Sequence, residues 1–435
     1  MILRRPYVLT TVGSWSLVFL AAFESLAVTT VMPDITAELG GRGQYALAFS
    51  AAIAAGIVGM VGFGAWADRR GPAPALLTSI GVFTVGLVIA GTATEMTGFV
   101  VGRLVQGVGA GGHTVALYVL VAAVYPRELH IKIFGAFATA WVLPSMVGPV
   151  VAGVVAEAAS WRWVFLGVVG LVVAATAMVL PALGGHGRRT EAPRELRKLG
   201  AAVVVAGGVV ALGAAGTAWA VPVALVVVAV ALRPLVPAGT FTVRPGLPAA
   251  VALCAFAGGV FIGTDVYLPL LLQERYGLPA WFSGLTLTAG AVAWAVASGV
   301  QGRLGDRLDA GRALRAGAVL LAAGAAVELV TVVAHLPVAA AVAGWFAAGA
   351  GMGTLYPRIS ALVLAYSKPG DEGFHTAAKS ITDAVGGSAA LAVTGMLFGA
   401  LPFTGPFLLT TVLGIAVIVV AARVAPVGRK ALQTS

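Results

Sequence analysis

The chain has 435 residues, 59% of them hydrophobic and 10% charged, with a mean hydropathy of +0.98. That balance excludes a soluble globular domain and points to an all-α polytopic membrane protein. The net charge of +10 does not indicate nucleic-acid binding, because the basic residues lie in short loops between apolar runs.

A membrane-spanning helix needs about 20 mainly apolar residues. The first such run extends from Tyr7 to Pro33. Its basic start, MILRRPYVLT, resembles a signal peptide. The run is long, however, carries Glu24 and lacks a small-x-small cleavage site, so it reads as a retained span. The next runs are Tyr45 to Ala67, Pro74 to Thr94, Gly98 to Val124, Ile133 to Ala156 and Trp163 to Leu183. Trp161-Arg162-Trp163 reads as an interfacial anchor. A basic loop follows, with Arg188, Arg189, Arg194, Arg197 and Lys198. Leu199 to Ala218 and Trp219 to Leu232 read as two extra spans, with a hairpin packed on the bundle as the alternative. The second set runs Leu247 to Leu272, Trp281 to Val300, Leu314 to Ala334, Val338 to Ala365, Phe374 to Ala400 and Phe403 to Val424. The organisation is thus a six-helix unit over 1–184, a connecting unit over 185–246 and a second six-helix unit over 247–435.

Most of the 27 Lys and Arg residues fall on one side of this topology, with Arg358 assigned to a loop there. Arg42, Arg162 and Arg275 fall on the other side, and Arg103 and Lys379 lie within spans. The asymmetry predicts a cytoplasmic membrane location with both termini in the cytoplasm. The lone cysteine, Cys254, sits in an apolar run and pairs with nothing.

The two six-helix units repeat one another. Gly64-x-x-x-Asp68-Arg69 recurs as Gly302-x-x-x-Asp306-Arg307, each at the end of the second helix of its half. In the fourth helix, Gly102, Gly107, Gly109 and Gly111 correspond to Gly344, Gly349, Gly351 and Gly353. The polar residues do not repeat: Arg103 faces Trp345 in the alignment, and Gln106 faces Ala348. The glycines therefore belong to the fold, and the arginine and glutamine to a task. Arg103, Gln106, Ala110 and His113 share a helix face, which places a costly charge against a bundle interior.

With these motifs in place, the chain resembles the major facilitator superfamily, specifically its drug:proton antiporters of the fourteen-span type. The second-to-third loop signature G-x-x-x-D-R-x-G matches Gly64, Asp68, Arg69 and Gly71, with Pro72-Ala73-Pro74 in place of the usual basic tail. The fourth-helix signature R-x-x-Q-G matches Arg103, Gln106 and Gly107. The fifth-helix signature G-P-x-x-G-G matches Gly148, Pro149 and Gly153, with Ala152 replacing one glycine. Glu24 and Pro33 match the mid-helix acid and terminal proline of the first helix. The resemblance implies two six-helix bundles related by pseudo-two-fold symmetry plus two extra helices. It also implies proton-coupled export of lipophilic or cationic small molecules by alternating access.

Within that frame Glu24 is weighed as a proton carrier against a structural acid, and Asp265 as a second proton or cation site. Arg103 is a counter-ion linking carboxylate protonation to cargo release, against a helix-bridging role. Lys379 and Asp383 lie four apart and can neutralise each other, with Asp383 kept as a coupling candidate. Gln106, His113, Phe23, Trp141 and Tyr267 are candidate cavity residues, with packing as the alternative for each. Phe137, Phe256 and Phe261 are aromatic candidates of the same kind. Glu328 is given no role. Asp68, Arg69, Asp306 and Arg307 are conformational parts, an Asp at a helix end being able to meet arginines or a helix N-terminus. Gly148-Pro149 is read as breaking the helix ladder and allowing tight packing.

No H-E-x-x-H, cysteine pair or G-x-x-x-x-G-K-[ST] occurs, so no enzyme activity, metal, cofactor or ATP use is expected. The expected partners are protons, membrane lipid and the small-molecule cargo, with the protein a monomer. A lipid or self-made metabolite as cargo is the second transport reading. A non-transporting receptor or scaffold is the alternative of another class, and it leaves the buried charges without a purpose.

Overall fold

The computed structural model describes residues 2–3, 7–40, 45–184, 196–214, 219–278, 280–304 and 308–424. Among these residues the chain forms fourteen α-helices and no strand. That is what a lipid environment demands, since a helix satisfies its backbone groups within one segment. The first six are α1 (Val8–Leu39), α2 (Tyr45–Arg70), α3 (Pro72–Gly91), α4 (Met96–Val124), α5 (Arg127–Ala158) and α6 (Arg162–Leu183). Next come α7 (Leu196–Ala214) and α8 (Ala220–Leu232). The last six are α9 (Leu247–Glu274), α10 (Ala280–Leu304), α11 (Ala310–Val333), α12 (Val338–Tyr366), α13 (Glu372–Ala400) and α14 (Thr404–Arg423). Ten helices of the described chain are long and apolar enough to cross a membrane.

The end of the bundle that holds Asp68 and the start of α13 is the end where the basic loops cluster, and is called the basic end below. The first helix does not stop at Pro33 as expected. It continues to Leu39. Arg358 is not in a loop either; it lies inside α12, 3% exposed, with its Nε donating to Gln301 Oε1 of α10 at 3.0 Å. Helix α2 passes to α3 through Gly71 alone, whose φ of 82° is left-handed and favours glycine, and Pro72 opens α3.

Packing repeats as the sequence does. In the first half α4 packs on α2 and α3, and α1 on α5 and α6; in the second, α12 packs on α10 and α11, and α9 on α13 and α14. One apolar core lies mainly in each half, Leu364 of α12 joining the first and Ile57, Val61 and Val115 of α2 and α4 joining the second. The halves meet along two seams, α5 against α10 and α2 against α13. Helices α7 and α8 pair with each other, and α7 lies against α2 and α13, over one seam. Helix α8 has 13 residues and spans about 20 Å, less than the hydrocarbon thickness.

Candidate functional site

The glycine frame sets where the site lies. Apolar helices in lipid gain little from burying more oil, so close backbone approach is what holds them together. A β-carbon at Gly107 or Gly111 would collide with the backbone of Ala52 or Gly56 on α2. One at Gly102 or Gly109 would meet Ala90 or Phe83 on α3. The second half repeats this: Gly349 and Gly353 press on Gly290 and Trp294 of α10, and Gly344 and Gly351 on Gly324 and Leu321 of α11. The frame is structural in both halves, as its recurrence predicts.

On that frame Arg103 is 5% exposed and Glu24 4%. Arg103 Nη1 donates to Glu24 Oε1 of α1 and to Gln106 Oε1, the latter at 2.7 Å, and Nε reaches Ala48 O of α2 at 3.4 Å. Three helices thus converge on one guanidinium. A charge pair this deep is stable only while both members are present. A proton arriving on Glu24 would leave Arg103 with neutral acceptors alone. Beside the pair, the amide nitrogen of Gln106 is buried without a partner among the described residues.

The second half holds a different polar group. Asp383 of α13 accepts from Tyr356 Oη of α12, and a β-carbon at Gly258 of α9 would strike Asp383 Oδ1. Lys379 does not pair with Asp383. Its Nζ contacts Tyr118 Oη of α4 at 3.4 Å and lies over the rings of Tyr118 and Tyr356. Spacing of four permits an ion pair; here the tyrosines on neighbouring helices claim both members. Sequence reasoning missed Tyr118 and Tyr356, which only the fold brings together.

Other candidates fall elsewhere. Asp265 is half-buried, and no hydrogen bond or ion pair joins it to Glu24 among the described residues. His113 is buried at the α3–α4 seam, edge-on against Phe83 of α3. Tyr267 is 8% exposed and packs on Phe398 in a small cluster with Leu271 and Phe407. Trp141 is half-exposed and makes no ring contact among the described residues. Phe23 stacks on Phe19 and would touch a β-carbon at Gly148 at 3.7 Å, an ordinary contact. Nothing approaches Gly153, and α5 runs unbroken past Pro149. The two glycines of the fifth-helix signature, Gly148 and Gly153, thus make no close backbone contact. Phe137 is core, and Phe261 stacks on Trp345. Trp161 is likewise core, while Trp163 is exposed.

The basic end is held shut. Asp68 accepts backbone hydrogen bonds from Gly373 at 2.6 Å and Phe374 at 2.9 Å, the first turn of α13. One half thus supplies the cap for a helix of the other, the helix-terminus option foreseen for this aspartate. Arg69 turns back to Ala65 O of its own helix. Across the other seam, a β-carbon at Gly302 would lie 3.7 Å from the α-carbon of Lys132. Asp306 and Arg307 lie outside the described residues.

The sequence matches the Major Facilitator Superfamily over residues 14–344. The chain belongs to this superfamily. An uncharacterized transporter of Schizosaccharomyces pombe is 32% identical over 148 residues, 34% of this chain and 25% of that one. The chain thus matches about a quarter of that relative's length. The multidrug transporter protein MdtP of Bacillus subtilis is 23% identical over 404 residues, 88% of this chain and 73% of that one. Among solved structures, the human organic anion transporter MFSD10 has a TM-score of 0.75 at 12% identity, covering 96% of this chain and 100% of that one. The E. coli fucose:proton symporter FucP has a TM-score of 0.69 at 15% identity, covering 97% and 100%. At such identities the likeness is one of fold.

The two halves of this Major Facilitator fold differ at matched positions. Where the first half has Arg103, the second has Trp345, whose Nε1 donates to Leu287 O at 3.2 Å, much as Arg103 Nε reaches Ala48 O. The indole fills the space and bridges the helices without a charge. Helix bridging alone therefore does not require an arginine. Glu328 is fully buried on α11, and among the described residues its carboxyl oxygens meet no hydrogen-bond partner of good geometry, the backbone of Trp345 being its one polar neighbour of note. An orphaned buried polar group costs about 1–3 kcal/mol, and an apolar replacement of like shape recovers part of it. Glu328→Leu is expected to raise the apparent Tm in detergent and leave flux unchanged. A lowered Tm would show that Glu328 has an essential bond.

Proposed function

We propose that the protein is a proton-coupled antiporter that exports lipophilic small molecules by alternating access, with the basic end in the cytoplasm. The observation that carries this reading is the buried Glu24–Arg103 pair with Gln106, a cluster that the second half replaces with an uncharged tryptophan. Proton uptake on Glu24 from the far side dissolves the pair, frees Arg103 and favours a changed packing of α1, α2 and α4. The Asp68 bond to α13 stabilises the state closed at the basic end. The match to a relative named a multidrug transporter supports the class of cargo.

The test is flux in proteoliposomes holding the purified protein, with and without an imposed pH gradient, across neutral and charged lipophilic probes. Export against the probe's own gradient is expected only when protons can move the opposite way. Uphill movement that persists after the pH gradient is collapsed would remove proton coupling. No movement of any probe would favour the non-transporting alternative.

A further inference from the structure

Lys379 is a buried cation that the Glu24–Arg103 mechanism leaves unused. It is 4% exposed, on the part of α13 that packs across the halves against α2 and α4. Its Nζ is 3.4 Å from Tyr118 Oη, 4.8 Å from the Tyr118 ring centre and 5.3 Å from that of Tyr356. No carboxylate lies within ion-pair distance of it among the described residues, since Asp383 is engaged by Tyr356. Two further donors wait nearby. The Trp294 ring lies 5.5 Å from that of Tyr356, and its Nε1 is buried without a partner. Thr376 Oγ1, one turn before Lys379, is likewise buried and unpartnered.

An ammonium offers three donors, and here one long contact and two ring faces meet it. Held this way, the ammonium has one long donor contact, and the Asp383 carboxylate acts on it without a direct ion pair, so an anion that reached Nζ would gain the donors left open. The ring faces of Tyr118 and Tyr356 supply flat apolar walls beside it, and Trp294 packs behind Tyr356. A cationic cargo would meet like-charge repulsion at Lys379. We propose that the cargo is an amphipathic organic anion, such as an aromatic carboxylate, whose acid group binds Lys379 between Tyr118 and Tyr356. This rests on the transport reading and names the class of its substrate, in place of the cations expected from the resemblance.

Position supports it. Lys379 is six residues, about 9 Å, along α13 from Gly373, where Asp68 holds the basic end shut. Parting the halves at that end uncovers Lys379 and draws Tyr118, on α4, away from it. A bound anion would bridge the two sides on closure.

The test uses the full chain in detergent and tritiated naphthoate, with naphthamide and tetraphenylphosphonium as competitors. Naphthoate is expected to bind at least about tenfold more tightly than the neutral amide, with no competition from the cation. Lys379→Gln is expected to weaken naphthoate at least about tenfold while naphthamide is unchanged, and Lys379→Arg to retain most of the binding. Should Lys379→Gln fail to fold, Tyr118→Phe removes a group at the same site and is expected to weaken naphthoate selectively. Equal binding of amide and acid, preference for the cation, or full naphthoate affinity in Lys379→Gln would overturn the proposal. Naphthoate binding lost in Lys379→Gln without any gradient-driven flux would keep the anion site and remove the antiport. Flux of the cation or amide without naphthoate binding would do the reverse.

Discussion

Glu24→Gln is expected to abolish uphill export while leaving downhill movement measurable. The glutamine keeps an acceptor within reach of Arg103 Nη1 but carries no charge. The guanidinium then sits 5% exposed against neutral acceptors only: the amide oxygen at position 24, Gln106 and the Ala48 carbonyl. Removing one member of a buried pair costs about 3–5 kcal/mol, because the other charge is left uncompensated. The apparent Tm in detergent should fall accordingly. Pairing Glu24→Gln with Arg103→Gln removes both charges and is expected to restore most of the lost stability. It should not restore gradient-driven flux, since no group remains to take the proton. Wild-type uphill flux in the single variant would remove Glu24 from the mechanism. Flux regained in the double variant would show that the pair serves folding only.

The glycine frame was legible in the sequence because it is a backbone property. A residue whose β-carbon would strike a neighbour's main chain admits little variation, so the pattern recurs in both halves. The Asp68 contact was legible for a related reason: helix ends leave predictable unpaired N–H groups. Side-chain partners were harder to read. Arg103 and His113 share a face by their spacing, yet Arg103 reaches α1 and α2 while His113 turns to Phe83 on α3. A face defined by spacing is wide enough to touch three neighbours, and sequence does not say which one a given side chain meets. Lys379 and Asp383 show the same gap. Their offset predicts mutual neutralisation, and two tyrosines from other helices prevail. Arg358 was misplaced because charge alone signalled a loop, whereas Gln301 on α10 accepts from it inside the bundle.

Asp68→Ala is expected to shift the protein toward a state open at the basic end. The carboxylate accepts from two N–H groups of α13's first turn. A side-chain cap is worth about 0.5–2 kcal/mol, and its charge near a helix N-terminus adds about 0.3–1 kcal/mol. Together these correspond to a change of roughly 5–150-fold in the equilibrium between closed and open. The readout lies on the opposite seam. Cysteines placed at Lys132 and Gly302 are close enough to cross-link when the basic end is shut. Cys254 is fully buried and, replaced by serine, leaves no competing thiol. Cross-linking should be fast on the Asp68 background and several-fold slower with Asp68→Ala, with Asp68→Asn between them. Gly373→Ala attacks the same contact from the α13 side, because a β-carbon there would strike both Gly64 O and the Asp68 carboxylate and force the seam apart. If the halves move as rigid bodies, losing a contact between α2 and α13 must also loosen α5 from α10. Unchanged cross-linking in both variants would mean that the seams open separately, and that Asp68 does not govern the closed state.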